Sequence, residues 1–262
     1  MPFLLSNTDD AWECFGAKDP YYGVLTSESF RTSNIGDVER RDFFDSGRRH
    51  VLSCLAKIEA LVGPVRRGGA LDFGCGVGRL ALPLASDAGF VLVDGVDISV
   101  SMLREARANA ERMAVENVGL IHSSEFFESS DQRPDHRFYS FIHSFIVLQH
   151  IPTYKGYLIF RSLLDRLEPG GVIAVHFPYF RSVSSLRKLI NYIRVRSSLL
   201  HMAGNLLQRR PLHEPPMQMN RYDMNELFLI CHEFGLGSVS ADFLIDSGNH
   251  GVYLIGRRQA GD

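Results

Sequence analysis

An α/β fold organised around a parallel sheet is what the sequence predicts, on three observations. From residue 69 onward, short apolar runs alternate with amphipathic stretches, the pattern of a parallel sheet with helices on its faces. The first run, Leu71-Asp72-Phe73, passes into the glycine turn Gly74-Cys75-Gly76-Val77-Gly78-Arg79. The second, Val93-Asp94-Gly95-Val96-Asp97, ends on a carboxylate. A strand, a glycine turn, a helix start and a second strand closed by an acid outline a nucleotide site. Glycine lets backbone N–H groups approach a ligand closely, and the acid can accept from both ribose hydroxyls.

Each element follows in order. Residues 1–36 mix aromatics and turn formers (Trp12, Phe15, Asp19-Pro20, Tyr21, Tyr22, Gly23) without periodicity, and are expected to form an irregular leader that covers a pocket or packs on the core. Residues 37–262 are expected to form one domain, since 262 residues that are 45% hydrophobic suffice to bury a large core. From Asp37 to Val62, Phe44, Val51, Leu55, Ile58 and Val62 recur at helical spacing and predict a long helix. Then come strand 69–74, helix 78–87, strand 91–97, helix 99–115, strand 117–122, strand 138–144, helix 153–167 and strand 171–177. The helix after Thr153 is expected to stop at Pro169-Gly170-Gly171. Residues 180–221 interrupt this alternation; Leu186, Leu189, Ile190, Ile193, Leu199, Leu200, Met202, Leu206 and Leu207 predict two amphipathic helices forming a cap. A last helix opens with Asp223 and Glu226 in capping-box spacing, and strands 237–245 and 251–257 close the chain around a loop holding Asp246 and His250.

The glycine turn selects among nucleotides. A dinucleotide turn carries Gly or Ala where this chain has Arg79, and Asp72 would repel a pyrophosphate but meet the cationic amino group of a methionine moiety. The DxGxGxG order resembles motif I of the class I S-adenosylmethionine methyltransferases. The likeness continues through Asp97, Val147-Leu148-Gln149-His150-Ile151 and Leu167-Glu168-Pro169-Gly170-Gly171. It implies a Rossmann-like seven-stranded sheet, last strand antiparallel, flanked by helices. It also implies S-adenosyl-L-methionine as cofactor and S-adenosyl-L-homocysteine as product. On the same resemblance Asp72, Gly74, Cys75, Gly76 and Gly78 line the methionine and ribose, Asp97 binds the ribose diol and Ile98 meets the adenine. Ser124 and Glu125 are expected near the adenine amino group, and His143 and Ser144, at the end of the fourth strand, are candidates for cofactor contact.

Methyl transfer from a sulfonium is an in-line displacement that needs alignment above all, and a hydroxyl nucleophile adds the need for a base near neutral pKa. Histidine supplies one, and the candidates in order are His150, His143, His176 and His250. Each has a plainer reading as a buried hydrogen-bonding group, and His122 is expected to be structural.

Net charge is −2, yet the segment between Phe180 and His213 is +7, which leaves −9 on the rest. This basic cap is expected to attract an anionic substrate or to be merely solvated; contact with a membrane surface is a further reading. Nucleic acid is disfavoured because the basic charge is confined to one segment. The four cysteines lack CxxC spacing, so no disulfide framework and no metal site is expected. No signal peptide is expected at the N-terminus, and no run reaches the roughly 18 apolar residues of a membrane span, so a cytoplasmic protein is expected. Trp12-Glu13-Cys14-Phe15-Gly16 and Met217-Gln218-Met219-Asn220 look like a bacterial methyltransferase subgroup found with saccharide or secondary-metabolite biosynthesis. O-methylation of such a small molecule is therefore expected. N-methylation, a non-catalytic cofactor-binding scaffold and a nicotinamide dehydrogenase are the alternatives.

Overall fold

The computed structural model describes residues 8–128, 138–182, 198–207, 211–212, 214–246 and 248–259. In chain order the elements are α1 (Thr8–Lys18), α2 (Pro20–Val24), α3 (Asp37–Val62), β1 (Gly69–Phe73), α4 (Ala81–Ser86), β2 (Leu92–Asp97), α5 (Val100–Arg112), β3 (Val118–His122) and α6 (Ser123–Phe127). They continue as β4 (Tyr139–Ser144), α7 (Thr153–Asp165), β5 (Leu167–Arg181), α8 (Ser198–Leu207), α9 (Met224–Glu233), β6 (Leu236–Asp246) and β7 (Asn249–Arg258). The strands form one seven-stranded sheet in the order β3-β2-β1-β4-β5-β7-β6, with only β7 antiparallel to its neighbours. The Rossmann-like expectation holds. Strand order reverses between β1 and β4, and a ligand of such a sheet lies beyond the carboxyl ends of the strands at that switch point.

Apolar side chains bury both faces of the sheet. On one, Phe43, Val51, Leu55 and Ile58 of α3 pack with Leu82 and Leu84 of α4 and Met102 and Leu103 of α5. On the other, Phe160, Leu163 and Leu164 of α7 pack with Leu227 and Ile230 of α9 and with Tyr222. Each such fully buried side chain contributes about 1.5–3 kcal/mol of transfer free energy.

Several boundaries depart from expectation for identifiable reasons. The leader is helical rather than irregular: α1 and α2 are followed by a 3₁₀ turn at Glu28–Phe30. Its order is tertiary in origin. Glu13 accepts from the Ser99 and Ser101 hydroxyls at 2.7 and 2.5 Å, and the Tyr21 hydroxyl lies 2.7 and 2.8 Å from Glu105 Oε1 and Asn109 Oδ1. Strand β5 begins at Leu167, through the Pro169-Gly170 segment, and runs to Arg181, because β7 pairs with it as far as Asn249 opposite Arg181. The expected closing loop is correspondingly short. His250 lies on β7, opposite Ile245 and Phe180, not in a loop. Of the expected cap, α8 is present, whereas Arg187, Lys188, Arg194, Arg196, Arg209 and Arg210 lie outside the described residues. Among the described residues, no helix is long and apolar enough to cross a membrane.

Candidate cofactor and acceptor site

At the switch point β1 delivers Asp72 and then the glycine turn, while β2 delivers Asp97. Gly74 and Gly76 take φ of +78° and +54°, a region that favours glycine. Space demands glycine there as well. A Cβ on Gly74 would stand 2.3 Å from Val147 Cγ2, and one on Gly76 would stand 2.7 Å from Val24 Cγ2. The turn is pinned by Gly74 N–H to the Val96 carbonyl at 2.7 Å and by Gly76 N–H to Asp97 Oδ2 at 2.8 Å. Asp97 Oδ1 accepts from Ser99 N–H at 2.9 Å. Burial pushes the Asp97 carboxyl upward, and the N–H groups of Ser99, Gly76 and Ile98 oppose that shift without cancelling it.

A cavity of about 540 Å³ opens on this turn. Asp72, Gly74, Cys75, Gly76, Asp97, Ile98 and His150 of the expected site all lie on its wall. The leader forms another part of the wall through Trp12, Val24 and Leu25, and the 145–159 region adds Phe145, Val147, Ile151, Leu158 and Ile159. Ile146, on the same wall, has φ +59°, a conformation that costs a β-branched residue of order 1–3 kcal/mol and so marks a built feature of the loop after β4.

The remaining expected residues are placed elsewhere. Gly78 takes φ +87° one turn behind the wall, where its N–H donates to the Cys75 carbonyl at 2.9 Å. After β3 it is Ser123, not Ser124 or Glu125, that reaches the cavity; both of those are exposed, and the Ser124 hydroxyl pairs with His122 Nδ1 at 2.7 Å. The Ser144 hydroxyl is buried against the Phe73 carbonyl at 2.9 Å. His176 lies behind the wall, its ring 5.6 Å from that of Phe145, and His250 sits farther along the β5–β7 pair beside Phe180.

His143 is buried beneath the wall, with Nδ1 2.8 Å from Asp72 Oδ1 and Nε2 2.5 Å from the Tyr253 hydroxyl. Burial disfavours its charged form, yet hydrogen bonds with Asp72 and Cys54 prevail and raise it to about 9. His150 behaves oppositely. Burial lowers it to about 4 against one opposing hydrogen bond, from its Nδ1–H to the Gln218 carbonyl at 2.8 Å. Its Nε2 then accepts from the Gln149 amide at 3.1 Å, and Trp12 meets the ring edge-on at 4.9 Å. The 148–151 turn is braced from behind by Tyr222, whose hydroxyl lies 2.9 and 3.1 Å from the carbonyls of Leu148 and Ile151.

Sequence reasoning sets Trp12 and Gly23 in a leader that covers a pocket but names neither a leader residue nor Arg79 as part of the site. The position of Arg79 directly after the glycine turn was the available signal, since it places the side chain at the mouth of α4. It is 7% exposed, lies on the cavity wall and donates to Ser46 Oγ at 3.2 Å. Its Nε has no hydrogen-bond partner among the described residues.

The profile of the methyltransferase domain matches residues 45–236. The chain belongs to this methyltransferase family. Magnesium protoporphyrin IX methyltransferase from Synechocystis PCC 6803, crystallised with bound SAH, superposes with TM-score 0.60 at 20% identity, over 96% of this chain and 98% of that one. An O-methyltransferase family protein from Burkholderia thailandensis superposes with TM-score 0.51 at 12% identity, over 97% of this chain and 69% of that one. A 23S rRNA (uracil(1939)-C(5))-methyltransferase from Marinomonas posidonica is 30% identical over 101 residues; the match takes in 37% of this chain and 23% of that protein's length. The cofactor of the family is S-adenosylmethionine, and the wall fits it. Glycines at 74 and 76 leave space that a Cβ would fill, and the half-buried Asp97 carboxylate stands at the end of β2. Bound there, the cofactor supplies an electrophilic methyl group on a sulfonium.

Proposed function

We propose that this chain O-methylates a small organic molecule with an apolar body, such as a secondary metabolite or a saccharide carried on one, in the cytoplasm. One observation carries the reading: the glycine turn and Asp97 share one continuous cavity with Trp12, Phe145, Ile151, Leu158 and Ile159. An apolar wall of that kind contributes through burial of apolar area and offers few partners to a bare sugar. The leader, through Trp12, Val24 and Leu25, acts as the cover of this chamber, excluding water from the reacting atoms.

The base candidate on the wall is His150, uncharged at neutral pH and weak because burial holds it at about 4. A weak base suits an oxygen that is already acidic, a phenol or enol rather than an alkyl alcohol. Arg79 and Lys155 add positive charge to the wall and favour an acceptor that bears an anionic substituent. Asp72 stands ready for the methionine amino group, and Asp97 for the ribose. The ribosomal RNA substrate of the Marinomonas protein is not carried over, since the chain spans 23% of that protein's length.

The test is a panel of phenolic, polyketide-like and saccharide-linked acceptors with methyl-labelled S-adenosylmethionine. Label should enter an oxygen of an aromatic or enolic acceptor. Transfer confined to amines, or binding of S-adenosylhomocysteine without any transfer, overturns the assignment in favour of an N-methyltransferase or a scaffold.

A further inference from the structure

Beside Phe145, α3 meets β4 and β7 around a cluster that the methyl-transfer reading leaves unused. His50 and Cys54 stand one helical turn apart on α3 and so present one face. His143 comes from β4 and Tyr253 from β7. The donor atoms of His50, Cys54 and His143 lie within 4.8 Å of one another, and the Tyr253 hydroxyl is 2.5 Å from His143 Nε2. His50 Nε2 is buried and has no hydrogen-bond partner among the described residues. Its ring lies 4.2 Å from that of Phe145 and 6.0 Å from that of His143.

We propose that His50, Cys54 and His143, with Tyr253 as neighbour, bind a divalent transition cation of the zinc class. Two imidazoles and one thiolate form the nitrogen–sulfur set that this borderline-soft ion prefers. Zinc bond lengths near 2.0–2.3 Å require donors roughly 3.3–3.6 Å apart, so the cluster must contract by about an ångström. Asp72 Oδ1 holds His143 Nδ1 at 2.8 Å, the carboxylate–imidazole arrangement that fixes ring orientation, and Nε2, paired with the Tyr253 hydroxyl at 2.5 Å, exchanges that partner for the metal. Binding breaks the S–H bond of Cys54 and the Nε2–H bond of His143, and both protons leave to solvent as the metal bonds form. The charge balance is favourable: the cation meets the Cys54 thiolate and the Asp72 carboxylate, against Arg79, which acts on His50 from the cavity side. The Tyr253 hydroxyl or a water completes a fourth position. The ion ties α3 to the centre of the sheet directly behind the acceptor chamber.

The site is tested on the full chain after chelator treatment, by adding cobalt(II) as a spectroscopic stand-in for zinc. A thiolate-to-cobalt charge-transfer band in the near ultraviolet is expected, together with tetrahedral d–d bands, saturating at one ion per chain and displaced by zinc. Cys54→Ser should abolish the charge-transfer band. His50→Gln should weaken cobalt binding at least about tenfold while the far-ultraviolet circular dichroism stays unchanged. Absence of the band in the wild-type chain, or its persistence in Cys54→Ser, overturns the site. If Cys54→Ser does not fold, His50→Gln decides alone, and unchanged cobalt affinity there overturns it. S-adenosylhomocysteine binding, followed in parallel by calorimetry, keeps a failure of this site distinct from a failure of the methyltransferase assignment.

Discussion

The Arg31 guanidinium stands 2.7 Å from the Glu214 carboxylate with both side chains under a tenth exposed, so a buried ion pair joins the leader to the C-terminal part of the insertion. Arg31 also reaches Asp19 at 3.0 Å and lies over the Tyr22 ring at 3.4 Å. Removing one member of such a pair leaves an uncompensated charge and costs about 3 kcal/mol. Arg31→Ala should therefore loosen residues 8–30 first. Limited proteolysis should cut within α1 at a protease concentration that spares the parent chain, and S-adenosylhomocysteine affinity should fall; unchanged cleavage would show that the leader is held by its other contacts.

Asp97 accepts N–H bonds from Gly76 and Ser99 while facing the cavity. Hydrogen bonds to a charged group contribute about 1.5–3 kcal/mol, so Asp97→Ala should weaken S-adenosylhomocysteine roughly tenfold to a hundredfold. Calorimetry reads the affinity, and circular dichroism should show an intact sheet. Wild-type affinity in the variant would remove this carboxylate from the cofactor site.

Gly74→Ala meets two penalties: φ of +78°, and a Cβ 2.3 Å from Val147 Cγ2. The conformational part alone costs about 1–2 kcal/mol. Adding Val147→Ala should relieve the collision but not the backbone strain, so the double variant should recover only part of the lost melting temperature. Full recovery would mean that sterics alone impose glycine at this position.

His150 gives stability an acid limb. Its folded-state value, lowered by burial to about 4, lies below the unfolded value near 6.5. Between those values the unfolded chain binds a proton that the folded chain refuses, so stability falls as pH drops from about 6.5 toward 4 and is unaffected by this group above 6.5. His150→Gln should flatten that limb in urea denaturation series. An identical pH profile in the variant would assign acid sensitivity to other groups.

The sheet and the glycine turn were legible because their causes are local. Leu71, Val93 and Val96 alternate or run in short apolar blocks, and Gly74 is required by a backbone angle that the turn itself imposes. The leader was not legible, because Glu13 and Tyr21 are fixed by Ser99, Ser101, Glu105 and Asn109, some 85 residues away, rather than by any periodicity of their own. The same holds for the histidines. His143 and His150 stand together among the base candidates, yet both are buried, and only His143 gains a carboxylate partner, so their proton affinities diverge to about 9 and about 4. His50 and Cys54 carried a legible signal, a one-turn repeat on α3, but their meeting with His143 depends on which face of that helix meets β4.

Helix α1 contributes Trp12 to the chamber and anchors itself through Glu13 on the two serine hydroxyls at the start of α5. The cover and its fastening thus belong to one helix of eleven residues. Moving Trp12 off the chamber therefore strains the Glu13 clasp, because both side chains ride on one helix, and the hold of the cover is tied to a single carboxylate.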